Sequence, residues 1–333
     1  MKQYTALIVV FLVVILAFAG ALSDRYLMDI FILTCFYGAL SVAWNLMAGM
    51  AGLMSLGHAL FVGIGAYSVA WGTSVHGWPP LLTWPMGVAL SILAAYVIGG
   101  LCFRYGLRGY FFAIATLAFS EVAFFVVSAT EQLGRSDGII LPISDQGLAQ
   151  LQFMEKWPYG LIIGAILLGT MLLSRLLLDS RTGYYWRALR DNEDAAQALG
   201  VDARRMKMRA FLISAAISGL CGAFYANYVA FVDPRSVLGI DLSIQLLVFS
   251  IIGGMSQLWG PLLGAGILVP VSDFLRSLTA IQGSNVIFYA VLLMVLALVL
   301  PQGLSGWLVA RWRGRRRPRA AEASGDSQAE AAP

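Results

Sequence analysis

Residues 158–209 read PYGLIIGAILLGTMLLSRLLLDSRTGYYWRALRDNEDAAQALGVDARRMKMR, an apolar run followed by a charged segment. The run, residues 158–178, has the length that a helix needs to cross a bilayer, which is about 20 apolar residues. The charged segment, residues 179–209, is called the island below, and apolar sequence resumes directly after it. This order predicts membrane-spanning helices joined by a polar loop on one side of the membrane.

The composition of the whole chain agrees with this prediction. Of the 333 residues, 59% are hydrophobic and 12% are charged, and the mean hydropathy is +0.78. Soluble domains carry about 25% charged residues, so these values indicate an integral membrane protein. Cys35, Cys102 and Cys221 lie in or beside apolar segments without CxxC spacing, which predicts core thiols, no disulfide framework and no metal site.

We predict an all-α polytopic membrane protein with about ten transmembrane helices (eight to ten) and glycine-rich broken segments. The candidate spans are roughly 5–22, 27–48, 59–75, 81–101, 110–130, 158–178, 210–232, 238–256, 259–276 and 284–307. The first is interpreted as a retained helix and not as a signal peptide. Segment 238–276 could instead form one span and a re-entrant segment. Residues 1–318 make up the transmembrane domain, and residues 319–333 are expected to be a disordered cytoplasmic tail.

The distribution of cations predicts the orientation. With ten spans and the N-terminus inside, 17 of the 22 Lys and Arg residues fall on the cytoplasmic side, which places both termini there. The six arginines between Arg311 and Arg319 are interpreted as an anchor that meets anionic lipid, and not as a nucleic-acid site. The longest external loop, residues 131–157, could pack as a small cap or receive a partner.

The centre of the island reads as a short helix. Asp191 is the expected N-cap, acids follow in the first turn, alanines fill the middle, and Gly200 is expected to stop the helix. An ordered helix on the cytoplasmic face suggests a docking element for a soluble partner.

Two glycine-rich stretches interrupt the apolar pattern. The first is residues 44–58 and continues to Gly63, Gly65 and Tyr67; the second is residues 253–261 and continues to Gly264 and Gly266. Irregular backbone at membrane depth is tolerated only where protein or a water-filled cavity satisfies its polar groups. Paired broken segments in a transporter indicate its pathway, whereas small residues can also simply allow close helix packing. Both readings stay open for the glycines alone.

Four polar residues are candidates for a substrate pathway. Asn45, Ser55 and His58 accompany the first glycine-rich stretch. Glu121 lies within a predicted span, where an acid costs roughly 2.5–3.5 kcal/mol by insertion scales, so it should face the bundle interior or a cavity. A lone histidine near a helix end is more often a structural hydrogen-bond partner than a ligand.

Several motifs are absent from the sequence. It has no GxxxxGK[ST], so it cannot hold a nucleotide by a Walker A loop. It also has no HExxH or GxSxG, which leaves an intramembrane enzyme without obvious catalytic residues. These absences predict that the chain is not an enzyme and has no cofactor of its own.

Five ordered motifs resemble the permeases of branched-chain amino acid (LIV-type) ABC importers, and the M-type more closely than the H-type. They are the stretch 44–67, the segment Leu107-Arg108-Gly109-Tyr110-Phe111-Phe112-Ala113-Ile114-Ala115-Thr116-Leu117-Ala118-Phe119, Ser136-Asp137-Gly138-Ile139, the island and the second glycine-rich stretch. The resemblance covers about residues 35 to 300.

This resemblance implies a subunit of a bacterial inner-membrane importer. Its partners would be a second homologous permease in a heterodimer, two cytoplasmic ATPase subunits that bind ATP and Mg, and a periplasmic substrate-binding protein. The island would carry the coupling helix, matched here by Gly183, Arg187, Ala188, Arg190, Asn192, Glu193, Ala195, Ala196, Leu199 and Gly200. Tyr184 and Asp194 depart from the family pattern. Glu193, Ala196 and Leu199 are expected to form the face that contacts the ATPase.

Other functions remain open from the sequence. Within the same family, urea, short amides or aromatic acids are alternative substrates, because selection is largely imposed by the binding protein. An ion-coupled secondary transporter would use Glu121 and Asp241 as coupling sites, but it would leave the island without a role.

Overall fold

The computed structural model describes residues 13–15, 17–22, 24–142, 151–255, 257–278 and 304. Within these residues the helices are α1 (Arg25–Asn45), α2 (Ala59–His76), α3 (Pro80–Arg104), α4 (Gly109–Ala129), α5 (Trp157–Asp179), α6 (Arg181–Asp191), α7 (Glu193–Ala198), α8 (Ala203–Val229), α9 (Pro234–Leu238), α10 (Ile240–Gly253) and α11 (Gly260–Leu278). Two short strands, β1 (Ile139–Ile140) and β2 (Phe231–Val232), pair in antiparallel.

Six of these helical segments are long and apolar enough to cross a membrane: Arg25–Met50, Pro80–Arg104, Gly109–Ala129, Trp157–Asp179, Ala203–Val229 and Pro234–Gly253. Eight of the ten predicted runs, from 27–48 to 259–276, coincide with helices. The run 284–307, most of the run 5–22, the arginine-rich anchor and the tail 319–333 lie outside the described residues. The structure thus supports a multi-pass helical protein, while the count of about ten spans and the side of each terminus stay predictions.

Helix α8 lies at the centre of the bundle, and 72% of its most apolar 18-residue segment is buried. It packs against α2 and α3, and α1 and α5 also contact it. Glycines allow the closest approach, because a Cβ on Gly65 of α2 would lie 2.0 Å from the carbonyl oxygen of Gly219 in α8. The close-packing role predicted as one reading of the glycines is therefore realised where α2 crosses α8.

Segment 234–278 forms a helical hairpin. Helices α9 and α10 run in one direction, a turn follows at Gly254, and α11 packs back against both α10 and α1. Near the far end of α11, Asp273 lies beside Tyr26 in the first turn of α1. Helix α11 is thus antiparallel to α1, and its apolar part, Gly260–Leu275, is shorter than the six spans.

The end of the bundle opposite the island is held by polar contacts. Asp29 of α1 accepts hydrogen bonds from Tyr228 of α8, at 2.6 Å, and from Lys156 just before α5. Strand β1, from the loop predicted at 131–157, pairs with β2 after α8, and Ser74 of α2 donates to Ile140 O at 3.1 Å. The described parts of this loop therefore pack on the bundle end, and residues 143–150 lie outside the described residues.

Candidate functional site

Helix α1 ends in a break that occupies the first glycine-rich stretch. Residues Leu46–Met50 form a π-helical turn, and the chain then runs without helical structure until α2 begins at Ala59. Leu53, Ser55 and Gly57 of this connection are buried. Single π-helical turns within α-helices occur frequently at functional sites, so the π-helical turn that follows α1 makes the break a candidate site by its geometry as well as its sequence.

Side chains from neighbouring helices satisfy the backbone of the break. The indole Nε1 of Trp44 donates to Ser55 O at 2.8 Å, and Leu56 N donates to Thr116 Oγ1 of α4 at 3.3 Å. Ala59 N, at the start of α2, donates to Ser243 Oγ of α10 at 3.0 Å. The predicted irregular backbone is therefore present, and protein groups satisfy it, as a low-dielectric environment requires.

Ser55 and His58 both make hydrogen bonds within the protein. Ser55 Oγ accepts from Gly57 N at 3.3 Å, and His58 Nε2 lies 2.9 Å from Ser214 Oγ of α8. Ser214 donates its own proton to Ala43 O at 2.6 Å, so His58 must be the donor to Ser214 through Nε2–H. His58 is fully buried and joins α2, α8 and α1.

We predict that Ser214→Ala lowers the free energy of unfolding by about 1–3 kcal/mol, because it leaves the buried His58 Nε2–H without an acceptor. The measurement is thermal or denaturant unfolding in detergent. Ser218→Ala is the matched control one turn along α8, since the buried Ser218 hydroxyl has no partner among the described residues. An equal loss in both variants would contradict this role for Ser214.

The second glycine-rich stretch meets the first. Asn45 Nδ2, in the last turn of α1, donates to Gln257 O at 3.2 Å. A Cβ on Gly49 would lie 2.0 Å from Asn45 Oδ1 and 2.4 Å from Met255 O. The structure therefore brings the two predicted breaks into direct contact, with Asn45 bridging them.

Glu121 lies on α4 and is half-buried. Among the described residues it makes no hydrogen bond or ion pair. It lies five positions beyond Thr116, which contacts the break. Of the four residues predicted for a pathway, Asn45, Ser55 and His58 thus lie at the break, and Glu121 is on the helix beside it.

Most of the island folds into two helices, α6 and α7, and its last residues, Ala203 to Arg209, begin α8. Trp186 of α6 is fully buried and donates from Nε1 to Met206 O of α8 at 2.9 Å. Arg187 Nη2 donates to Leu178 O at the end of α5, at 2.7 Å. These contacts dock the island on the ends of α5 and α8, so it is an ordered element, as its sequence indicates.

The ends of α7 differ in part from the prediction. Asp191 closes α6, and the N-cap of α7 is Asn192, whose Oδ1 accepts from Ala195 N at 3.0 Å. The predicted stop is confirmed: Gly200 has φ +88° and donates to Gln197 O, while Val201 N donates to Ala196 O. This is the Schellman arrangement, in which a left-handed glycine satisfies the last carbonyls of a helix.

The three residues expected to form the ATPase contact face of α7 lie on different sides of the helix, and their role in docking stays a prediction. Ala196 is only 3% exposed and packs into a cluster with Trp186 and Leu46. Glu193 points at the permease body, where its Oε2 lies 2.6 Å from Lys207 Nζ. Only Leu199, which is 86% exposed, faces outward. The outward face of α7 is therefore formed by Asp194, Ala195, Gln197, Ala198 and Leu199.

The island touches the break directly. Arg190 Nη1, near the end of α6, donates to Gly49 O in the π-helical turn at 3.1 Å, and its Nε and Nη2 contact Asp191 Oδ1. Gly52, at φ +74°, lies against the Arg190 backbone. A Cβ added to Gly52 would lie 3.2 Å from Arg190 Cα. Because this contact joins segments 141 positions apart, no local pattern could reveal it.

Two further charged residues at this end were missed as site residues. Arg108, which precedes α4, contacts Asp194 through Nη1 at 2.8 Å and Glu193 through Nε at 3.4 Å. The hydrogen bond that Arg108 donates to Asp194 and the charge of Glu193 raise the pKa of the Arg108 guanidinium above its usual value. Lys207 of α8 holds Glu193 from the other side. The motif that begins at Leu107 was the available signal for Arg108.

Two cavities lie near these elements. An open cleft of about 490 Å³ separates α7 and the start of α8 from the corner between α3 and α4, with Arg108, Glu193 and Lys207 on its walls. An apolar cavity of about 280 Å³ lies between α2, α3, α4 and α9. Within the described part of the chain, no group of His, Cys, Asp or Glu side chains could hold a metal ion.

Known proteins with similar sequences are transport permeases. The high-affinity branched-chain amino acid transport system permease protein LivM of Escherichia coli is 29% identical over 88% of this chain and 74% of its own length. The autoinducer 2 import system permease protein LsrC of Klebsiella pneumoniae is 32% identical over 40% of each chain. LivH of Salmonella typhimurium is 26% identical over 42% of this chain and 44% of its own. No solved structure matches the chain.

The family model described as the permease component of the branched-chain amino acid transport system matches residues 26–300, which is most of the chain. It covers both breaks, the island and all of the helices α2 to α11. The chain therefore belongs to the family of branched-chain amino acid transport system permeases.

Proposed function

We propose that this chain is one permease subunit of an ATP-binding-cassette importer for branched-chain or related amino acids. Helices α6 and α7 would receive the movement of cytoplasmic ATPase subunits. The observation that carries the proposal is the hydrogen bond from Arg190 to Gly49 O. It links the island to the broken part of α1 without any intervening element, so movement of the island acts on the break.

The residues proposed for ATPase coupling fall into two groups by their surroundings. Arg187, Arg190, Asn192, Glu193 and Ala196 fix α6 and α7 on the permease and to each other. Ala195, Leu199 and Gly200 are exposed on or next to the outward side of α7. A rigid seat and an exposed contact face are what a coupling element needs, because a soft element would dissipate the displacement it receives.

Transport would proceed by alternating access. ATP and Mg would bind to the partner ATPases, whose closure would displace α6 and α7 and thereby change the contact between the two breaks at Asn45. ATP binding can shift the equilibrium between inward and outward states only through different affinities for the two. Asn45, Ser55, His58 and Glu121 remain the proposed pathway residues, and the first three would be exposed only after the break rearranges.

The proposed assembly has several partners. Similarity to both LivM and LivH suggests a second permease that pairs with this chain, with two ATPases on the island side and a periplasmic binding protein opposite. The described cations support the orientation, since Arg104, Arg108 and the island share one end of the bundle. The location would be a bacterial inner membrane.

The substrate is the finer part of the proposal. The name of LivM refers to branched-chain amino acids and that of LsrC to autoinducer 2. Relatives of this chain thus differ in the substrate after which they are named. Urea, short amides or aromatic acids are therefore alternatives. The ligand bound by the partner binding protein, measured by calorimetry across these classes, would decide between them.

Ion coupling is the alternative of another class. It would require Glu121 and Asp241 to act together, but Asp241 is exposed in the first turn of α10. Uptake that persists without ATP and follows an ion gradient would favour that alternative over the ATP-driven importer.

We predict that Leu199→Asp uncouples the complex. A charge on the exposed tip of α7 would have to be desolvated in an ATPase groove, so co-purification of the ATPases and stimulation by loaded binding protein should both fall at least about tenfold. The matched control is Met154→Asp, since Met154 is also 86% exposed but lies in the loop at the opposite end. Full stimulation in the Leu199 variant would contradict docking through α7.

A further inference from the structure

Helix α4 buries less of its surface within the described chain than the other spans. Only 22% of its most apolar 18-residue segment is buried, against 72% for the corresponding segment of α8. The four buried residues form a single stripe, Phe112, Ala113, Thr116 and Ser120. Helix α4 therefore contacts the rest of the described chain through one narrow stripe, so a shift of α4 breaks fewer contacts within the chain than a shift of α8 would.

The buried stripe gives α4 one anchor and one contact with the break. Phe112 stacks on Phe103 of α3, with ring centroids 5.3 Å apart, and meets Phe211 of α8 edge-on at 5.5 Å. One turn further, Thr116 Oγ1 accepts from Leu56 N, and a Cβ on Gly57 would lie 2.0 Å from Thr116 O. Any shift of α4 about Phe112 must therefore move Thr116 against the break.

Charged side chains connect the start of α4 to α7 across the open cleft. Arg108 spans it to contact both Glu193 and Asp194. Glu193 is in turn fixed by Lys207, which is only 9% exposed. A cleft of about 490 Å³ lies between the start of α4 and α7. The Arg108 guanidinium therefore connects these two elements where their side chains do not pack directly.

We infer that Arg108 is a positioning residue that ties α4 to α7, so that displacement of α7 moves α4 against the break at Gly57 and Thr116. This inference rests on the proposed function. It gives a role to the Leu107–Phe119 motif, and it makes Asp194 one half of the tie. Helix α4 then forms a second route from the island to the break, beside the direct contact of Arg190.

The tie should matter for coupling and not for folding. Arg108 and Asp194 are 49% and 82% exposed, and ion pairs at exposed positions contribute little to stability. Loss of the tie should therefore leave the thermal midpoint unchanged while α7 moves without α4.

The first test uses the permease assembled with its ATPases. We expect Arg108→Gln to lower the ratio of stimulated to basal ATP hydrolysis roughly 5-fold or more, within the usual range of coupling between sites. Arg108→Lys should retain part of the ratio. Arg205→Gln is the matched control, because Arg205 pairs with Asp202 inside the cap of α8 and joins no second element among the described residues. Equal ratios in Arg108→Gln and the control would overturn the inference.

A charge swap separates the tie from a general need for arginine. Arg108→Glu alone should lose coupling, because it places a third carboxylate beside Glu193 and Asp194. Adding Asp194→Arg restores an opposite pair and should recover at least half of the lost ratio. A double variant as defective as Arg108→Glu would overturn the inference.

A third test needs no ATPase. Spin labels at exposed Ala198 of α7 and Tyr110 of α4 report their separation in the full-length permease, and the native cysteines are buried. We expect one narrow distance distribution, which Arg108→Gln broadens and Arg205→Gln does not. An unchanged distribution in Arg108→Gln would overturn the tie. A complex without ATP-driven uptake would contradict the proposed function instead, and the label distances would still decide the inference.

Discussion

We expect most of the Gly65→Val variant to fail to fold, so that little folded protein is recovered from the membrane. A Cβ at this position would lie 2.0 Å from the carbonyl oxygen of Gly219 and 2.9 Å from its Cα. Because both atoms belong to the backbone of α8, no side-chain rotamer can relieve the overlap, and the helices must move apart. Overpacking of ordinary cores costs about 1–3 kcal/mol, and we expect at least the upper end of that range here.

The measurement is the yield and thermal midpoint of the detergent-solubilised permease. Gly164→Val in α5 is the matched control, since a Cβ there meets no atom within 4 Å, and it carries the same intrinsic cost of valine in a helix. We expect a near-normal yield for this control. If Gly65→Val accumulated as well as the control, the crossing of α2 and α8 would not have the geometry described here.

The helical spans could be predicted because membrane-crossing helices must be long and apolar. The runs from 27–48 to 259–276 coincide with helices for this reason. The two breaks were visible because glycine and polar residues interrupt these runs. That they touch, through Asn45 and Gln257, depends on how α11 packs against α1, which no local pattern encodes.

The faces of α7 could not be predicted in the same way. Its sequence, Glu193 to Ala198, has no apolar stripe to distinguish an inner from an outer side. The inner side is set by Lys207 and by the cluster around Trp186, both from other helices. The N-cap was misplaced by one position because Asp191 and Asn192 are both good capping residues, whereas the stop at Gly200 follows from its left-handed conformation alone.

His58 shows the same limit at the pathway. Its position after a glycine-rich stretch suggests a functional group, but its partner Ser214 comes from a helix 156 positions away. The sequence indicates that a polar residue is present in the apolar region. It does not indicate whether that residue contacts a substrate or another helix.

Arg190→Ala should uncouple transport from ATP hydrolysis while the permease stays folded. The substitution removes the donor to Gly49 O, so α6 would no longer hold the π-helical turn. Helix α6 would still dock through Trp186 and Arg187, whose hydrogen bonds do not involve Arg190. The Arg190 side chain is 34% exposed, and water can replace its hydrogen bond. We therefore expect a small effect on stability and a large effect on coupling.

The control is Arg181→Ala at the start of α6. Arg181 is exposed and makes no hydrogen bond or ion pair with the described residues. Both variants remove one cation from the same helix, so a difference between them reports the contact with the break and not the charge of the island. Thermal midpoints of both should stay within a few degrees of the unsubstituted protein.

The most direct measurement is ATP-driven uptake by the complete importer in proteoliposomes, with stimulated hydrolysis recorded in parallel. For Arg190→Ala we expect uptake per ATP hydrolysed to fall at least about 5-fold, with unaltered assembly, and for Arg181→Ala no change. Equal uptake per ATP in Arg190→Ala and the unsubstituted importer would contradict the central claim that the island drives the broken part of α1 through direct contact.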